Sequence, residues 1–120
     1  MNQLFNKKIT QLGFEQKIET LYSLVMDTKL NATMNKWLAF AYYEDGKYYF
    51  SDNGDLVEMF DVPDIDIEYA LDKIKESIKK FGCYLNVSKI VKEIDLNNLQ
   101  RDFDNFVNAV ISVDKLYNEI

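Results

Sequence analysis

The segment "YEDGKYYFSDNGDL", Tyr43 to Leu56, gathers the side chains best suited to chemistry. Carboxylates such as Asp52 and Asp55 can hold a hard cation, or act as a general acid and base where burial splits their pKa values. A calcium loop of the EF-hand type would use Gly54 as its fixed glycine. Its ligands would then fall at Tyr49, Ser51 and Asn53, and its closing acid at Phe60. Tyrosine and phenylalanine at the two ends exclude that loop. An irregular magnesium or calcium site on Asp52, Asp55 and Glu58 stays open, and with it a carboxylate-based, metal-dependent enzyme. The competing reading is architectural. Asp45-Gly46 is a hairpin turn, Asp52 or Ser51 caps a helix, and Asp55 and Glu58 complement the positive end of that helix. Architecture is the reading adopted, so no metal, cofactor or catalytic residue is assigned.

The absences narrow the chemistry further. The chain has no histidine and one cysteine, Cys83. Ser–His–Asp and Cys–His machinery is therefore impossible, as is a histidine-containing zinc site, and one thiolate cannot build a zinc cage. Four glycines, at 13, 46, 54 and 82, form neither glycine-rich phosphate-binding pattern. The expectation is a protein that is not an enzyme. A single cysteine also rules out an internal disulfide, and no segment approaches the roughly 20 apolar residues of a spanning helix. A cytoplasmic protein with no membrane partner is expected. The sequons at Asn31 and Asn86 carry no weight without a secretory route.

Charge points to the kind of partner. Residues 1–42 carry five lysines against three acids, residues 43–72 ten acids against Lys47 alone, and residues 73–120 eight bases against seven acids. One quarter of the chain thus holds a net −9 within a total of −6. Such asymmetry bears on association rather than fold, and it opposes direct binding to nucleic acid. Within "DVPDIDIE", Asp61, Asp64, Asp66 and Glu68 read either as a solvated connection with helix caps or as a charge row that imitates nucleic acid. Tyr42, Tyr43, Tyr48 and Tyr49 add interface chemistry, since tyrosine brings area and a hydroxyl at low entropic cost. The candidate partner-binding set is Glu44, Asp45, Asp52, Asp55, Glu58, Asp61, Asp64 and Asp66, with Tyr42 and Tyr49 as anchors.

These residues need elements to hold them. Leu4, Phe5, Ile9 and Leu12 predict a first helix stopped by Gly13. Phe14–Thr28 fits helix or strand, with its second half, "TLYSLVMDT", favouring a strand. Residues 29–35 read as a loop. "KWLAFAYY" and "KYYFS" form a hairpin whose turn sets Glu44 opposite Lys47, Tyr43 opposite Tyr48, Tyr42 opposite Tyr49 and Ala41 opposite Phe50. Trp37, Ala39, Ala41, Tyr43, Tyr48 and Phe50 then share one face, and Leu38, Phe40, Tyr42 and Tyr49 the other. Both faces are apolar. Helices cover one, and the second is covered by another part of the chain, a second copy or a partner. A short helix over Gly54–Phe60 ends before Pro63, and Asp64 or Asp66 caps a longer one carrying Ile67, Leu71, Ile74, Ile78 and Phe81. After Gly82 comes a β-like patch, "CYLNVSKIVKEI". Asp95 then opens a long helix in which Leu96, Leu99, Phe103, Phe106, Val110, Val113 and Tyr117 repeat in 3-4 spacing. Trp37 and Cys83 belong to the core, and "KIKESIKK" is a wet helix face. The expected fold is one α+β domain, residues 1–120, with an antiparallel sheet of two to four strands packed by three or four helices.

This order of elements, with "YYFSDNGDLVEMF" and "YLNVSKIVKEI", resembles a bacterial and phage domain family of no established chemistry. Its members run a strand into an S/T-D-D-G turn, here Ser51-Asp52-Asn53-Gly54. The likeness runs from about Trp37 to the end; the family's upstream Pro-Phe and acidic pair are not visible here. It implies a context of phages and mobile elements of low-GC bacteria. The reading that follows is a small acidic protein that blocks the basic nucleic-acid-binding surface of a nuclease, an anti-CRISPR-like role. An immunity protein or antitoxin against a toxin nuclease is the alternative. A homodimer through the second hairpin face is also open.

Overall fold

The computed structural model describes residues 3–28, 30 and 36–120. The loop expected over residues 29–35, Leu30 apart, and the Asn31 sequon lie outside the described residues. The elements run α1 (Gln3–Gln11), β1 (Glu15–Ile18), β2 (Leu21–Met26), β3 (Trp37–Glu44), β4 (Lys47–Ser51), α2 (Asp55–Glu58), α3 (Ile67–Lys79), β5 (Tyr84–Asn86), β6 (Lys89–Ile94) and α4 (Leu99–Tyr117). The strands form one sheet, all neighbours antiparallel, in the order β1-β2-β3-β4-β6-β5.

The class is the expected α+β, but the sheet has six strands rather than two to four. The two extra edges are short and weakly apolar. Strand β1 reads Glu-Gln-Lys-Ile and is exposed throughout, the charged composition that keeps a sheet edge from pairing with other chains. Strand β5 has three residues, too few to show a period. The ambiguous segment after Phe14 resolves into β1 and β2, so its first half is a strand as well as its second. Gly13, at φ 105, redirects the chain from α1 into β1.

The hairpin has the expected register, from Glu44 opposite Lys47 to Ala41 opposite Phe50. Helices α1 and α4 cover the Ala41–Phe50 face. Phe5 of α1 stacks on Tyr48 at 4.3 Å and meets Tyr22 edge-on at 5.6 Å. Phe106 of α4 lies 5.7 Å from Phe50 and 6.2 Å from Trp37, with Phe14 and Phe103 closing the cluster on Phe50. Aromatic pairs at these separations contribute about 0.5–1.5 kcal/mol each beyond burial. Helix α3 packs on α4, where Ser77 donates to Ser112 at 2.7 Å. Asp66 is the cap of α3, its Oδ1 accepting from the Glu68 and Tyr69 N–H groups at 3.1 and 3.3 Å. Asp95 caps a 3-10 turn, Leu96–Asn98, which leads into α4 at Leu99 rather than opening α4 itself. No described helix is long and apolar enough to cross a membrane.

Candidate functional site

The Ser51-Asp52-Asn53-Gly54 corner is built around one buried carboxylate. Asp52 is 1% exposed. Its Oδ1 accepts from Gly54 N–H at 3.0 Å and Ile90 N–H at 2.9 Å, and its Oδ2 from Leu56 N–H at 3.2 Å. One side chain thus ties the end of β4 to the start of α2 and to β6. Ser51 Oγ accepts from Asn53 N–H at 3.1 Å. Asn53 and Gly54 both take left-handed backbone, φ 63 and 88, the conformation that asparagine and glycine tolerate. Burial pushes the Asp52 carboxyl above its ordinary value, against the lowering effect of the Gly54, Ile90 and Leu56 N–H bonds.

This burial corrects the expected binding set at one position. Asp52 is not a partner contact, because its charge is enclosed by backbone. Three of its roughly four lone-pair sites are taken by backbone N–H groups, and at 1% exposure it does not open toward Asp55 and Glu58 as a shared cation site would need. Among the described residues no group of three or more acids or thiols is placed to hold a metal ion.

The remaining candidate acids split between two places. Glu44 and Asp45 sit at the β3–β4 turn, and Asp55 begins beyond the far end of β4. Five strand residues separate the two by about 16 Å, so the acidic quarter of the sequence is not one patch. Along α2 and its connection to α3, Asp55, Glu58, Asp61 and Asp64 are exposed, and the ion pairs among the described residues use none of them. Partial burial and the Glu58 carboxylate raise the Asp55 carboxyl above its ordinary value. Asp66 is exposed but turned to its cap bonds. Beside this edge runs a groove of about 500 Å³ with Val57, Ile67 and Leu71 on its wall and Glu58 and Asp61 on its rim.

Tyr42 and Tyr49 lie elsewhere, on the sheet face that no described helix covers. Their rings stack at 5.3 Å, and both are half-buried. Burial, then Glu44, Tyr84 and Tyr49, push the Tyr42 phenol up to about 12. Tyr84 belongs to the same cluster and was not among the expected anchors. It reaches this face because β5 pairs with β6 and β6 with β4, a neighbourhood without local signal in the sequence. Lys47 bonds Glu93 across the face at 3.2 Å. Tyr48, by contrast, is on the helix side against Phe5.

Trp37 and Cys83 are buried, as their sequence context suggests, at 7% and 5% exposure. Burial pushes the Cys83 thiol up to about 12, so it is no nucleophile near neutrality. Behind it, Asp102 accepts from Asp95 N–H at 2.7 Å and pairs with Lys92 at 3.7 Å.

Comparison of the chain with family models, with curated proteins and with solved structures finds no match in any of the three.

Proposed function

We propose that this protein is a non-enzymatic binder whose α2–α3 edge occupies a basic nucleic-acid-binding surface of another protein, and that it acts as an inhibitor of a nuclease. The observation that carries this reading is the run of four exposed carboxylates, Asp55, Glu58, Asp61 and Asp64, along α2 and its connection to α3, none of which is ion-paired among the described residues. Unneutralised acids on an exposed edge create a field that steers a basic partner into place and repels nucleic acid. The proposed setting is the cytoplasm of a bacterium carrying a phage or mobile element, with a defence nuclease as target in the anti-CRISPR manner. The same surface would serve an immunity protein against a toxin nuclease, and the identity of the captured enzyme separates the two.

The test is capture from a low-GC bacterial lysate with tagged protein and with an Asp61→Lys/Asp64→Lys variant. Identified eluates are then assayed for nuclease activity with and without added protein. A nuclease that is captured in a salt-sensitive way, inhibited by the protein and lost with the variant supports the proposal. Capture and inhibition unchanged by the variant would remove the acidic edge from the contact.

A further inference from the structure

The largest feature that the proposed function leaves unused is the open face of the sheet. Register places Ile18, Leu21, Tyr42 and Tyr49 in one row across four strands. Val25 and Leu38 form the next pair but one along β2 and β3. Ile18 is 63% exposed, Val25 53%, Leu38 40% and Tyr84 46%. The solvated face of an antiparallel sheet normally carries the polar residues, and this one keeps large apolar side chains across most of its width.

We propose that this face is a self-association surface and that its occupant is a second copy of the chain. Electrostatics favours that occupant. The whole molecule carries −6, so two copies repel each other through most of their surfaces. On this face two acids are paired, Glu93 with Lys47 at 3.2 Å and Glu15 with Lys17 at 3.6 Å, and Glu44 and Lys89 both line one trough. A basic protein drawn by the α2–α3 edge finds no net attraction here, whereas a second copy meets no net repulsion.

Area and shape agree. Six strands spaced about 4.8 Å apart, with eight-residue β3 rising about 3.3 Å per residue, span roughly 25 Å each way. With short edge strands, roughly 500 Å² per copy is available, or about 1,000 Å² in all, the floor for a specific interface. Packing is sheet on sheet, about 10 Å apart. A trough of about 380 Å³ lies over Phe40 and Tyr42 beside Ile18 and Leu21, at the opposite end of β3 from Leu38. A two-fold axis lying in the interface and crossing β3 near Phe40 would set Leu38 and Val25 of each copy over the trough of the other. The arrangement is isologous and closes at a dimer. It is independent of the nuclease-inhibitor reading.

Sedimentation equilibrium of the full chain over a wide concentration range tests it. The expected result is a mass that climbs from one copy toward two and stops there. Leu38→Lys and Ile18→Lys, both at exposed positions, should each give a monomer with unchanged circular dichroism and melting, while Asp61→Lys/Asp64→Lys should remain dimeric. A wild-type monomer at every concentration would overturn the proposal, including the case in which only a foreign partner covers the face. So would a dimer indifferent to both lysine substitutions, or one lost with the acidic-edge variant.

Discussion

At the scale of single residues the most informative group is Asp52. Its two oxygens satisfy three backbone N–H groups, those of Gly54, Leu56 and Ile90. Each buried donor left without an acceptor costs about 1–3 kcal/mol. Asp52→Ala is therefore expected to destabilise the fold by at least about 3 kcal/mol in urea unfolding. Asp52→Asn keeps the shape but turns an amide N–H₂ toward one of those donors, and should lose about 1–3 kcal/mol. The same pair of proteins reports the titration. Because burial raises this carboxyl in the folded state, the native protein holds the proton more tightly than the unfolded chain does. Its contribution to stability is complete below the unfolded value and falls as pH rises through the window up to the raised folded value. Stability measured against pH should show that falling component in the wild type and not in Asp52→Asn. Equal slopes in the two would remove Asp52 as its source. Cys83 gives a simpler expectation: with its thiol near 12 and 5% exposure, alkylation at neutral pH should wait for unfolding. Labelling in native buffer at the rate of a free thiol would contradict this.

At the scale of elements, the N-terminal end of α3 and the β5–β6 turn separate structural from functional residues. Asp66 holds the cap of α3, so Asp66→Ala should cost about 1 kcal/mol, whereas Asp64→Ala should stay within about 0.5 kcal/mol because its carboxylate makes no such bond. Thermal melts of the two variants decide it, and equal losses would mean that the cap bonds contribute nothing. In the β5–β6 turn, Val87 is 92% exposed at φ 59. A β-branched residue in left-handed backbone is strained by about 1–2 kcal/mol, so Val87→Asn should raise the melting temperature. These elements also show what the sequence makes legible. The hairpin register was readable because Asp45-Gly46 admits one turn type, and α3 and α4 because their apolar stripes are long. Strands β1 and β5 were not, since exposed or three-residue strands leave no period to detect. In the sequence Asp52 has the pattern of a surface acid, because its deciding donor, Ile90 N–H, lies 38 residues away. Tyr84 escaped for a related reason: its place beside Tyr42 and Tyr49 depends on β6 inserting next to β4.

At the scale of the whole molecule, the acidic edge and the open sheet face must respond to salt with opposite signs. The edge acts by attraction: Asp55, Glu58, Asp61 and Asp64 draw a basic surface, and added salt screens that attraction. The open face acts by apolar burial between two copies that each carry −6, and its acids Glu15 and Glu93 are paired with lysines of the same copy. The repulsion opposing self-association therefore comes from acids outside the contact, the α2–α3 edge included. With a Debye length of about 30 Å at 0.01 M and about 10 Å at 0.1 M, these separated charges repel strongly in the first condition and weakly in the second. Raising salt across that range should thus tighten the dimer while it loosens a basic partner. Asp61→Lys/Asp64→Lys, which lowers the net charge of each copy, should tighten the dimer at low salt and make little difference at high salt. Sedimentation of wild type and variant at the two salt concentrations reads both effects. If self-association instead weakens with salt, then acids on one copy are meeting lysines on the other, for example Lys75 and Lys79 of α3. The open face would then not be what joins the copies.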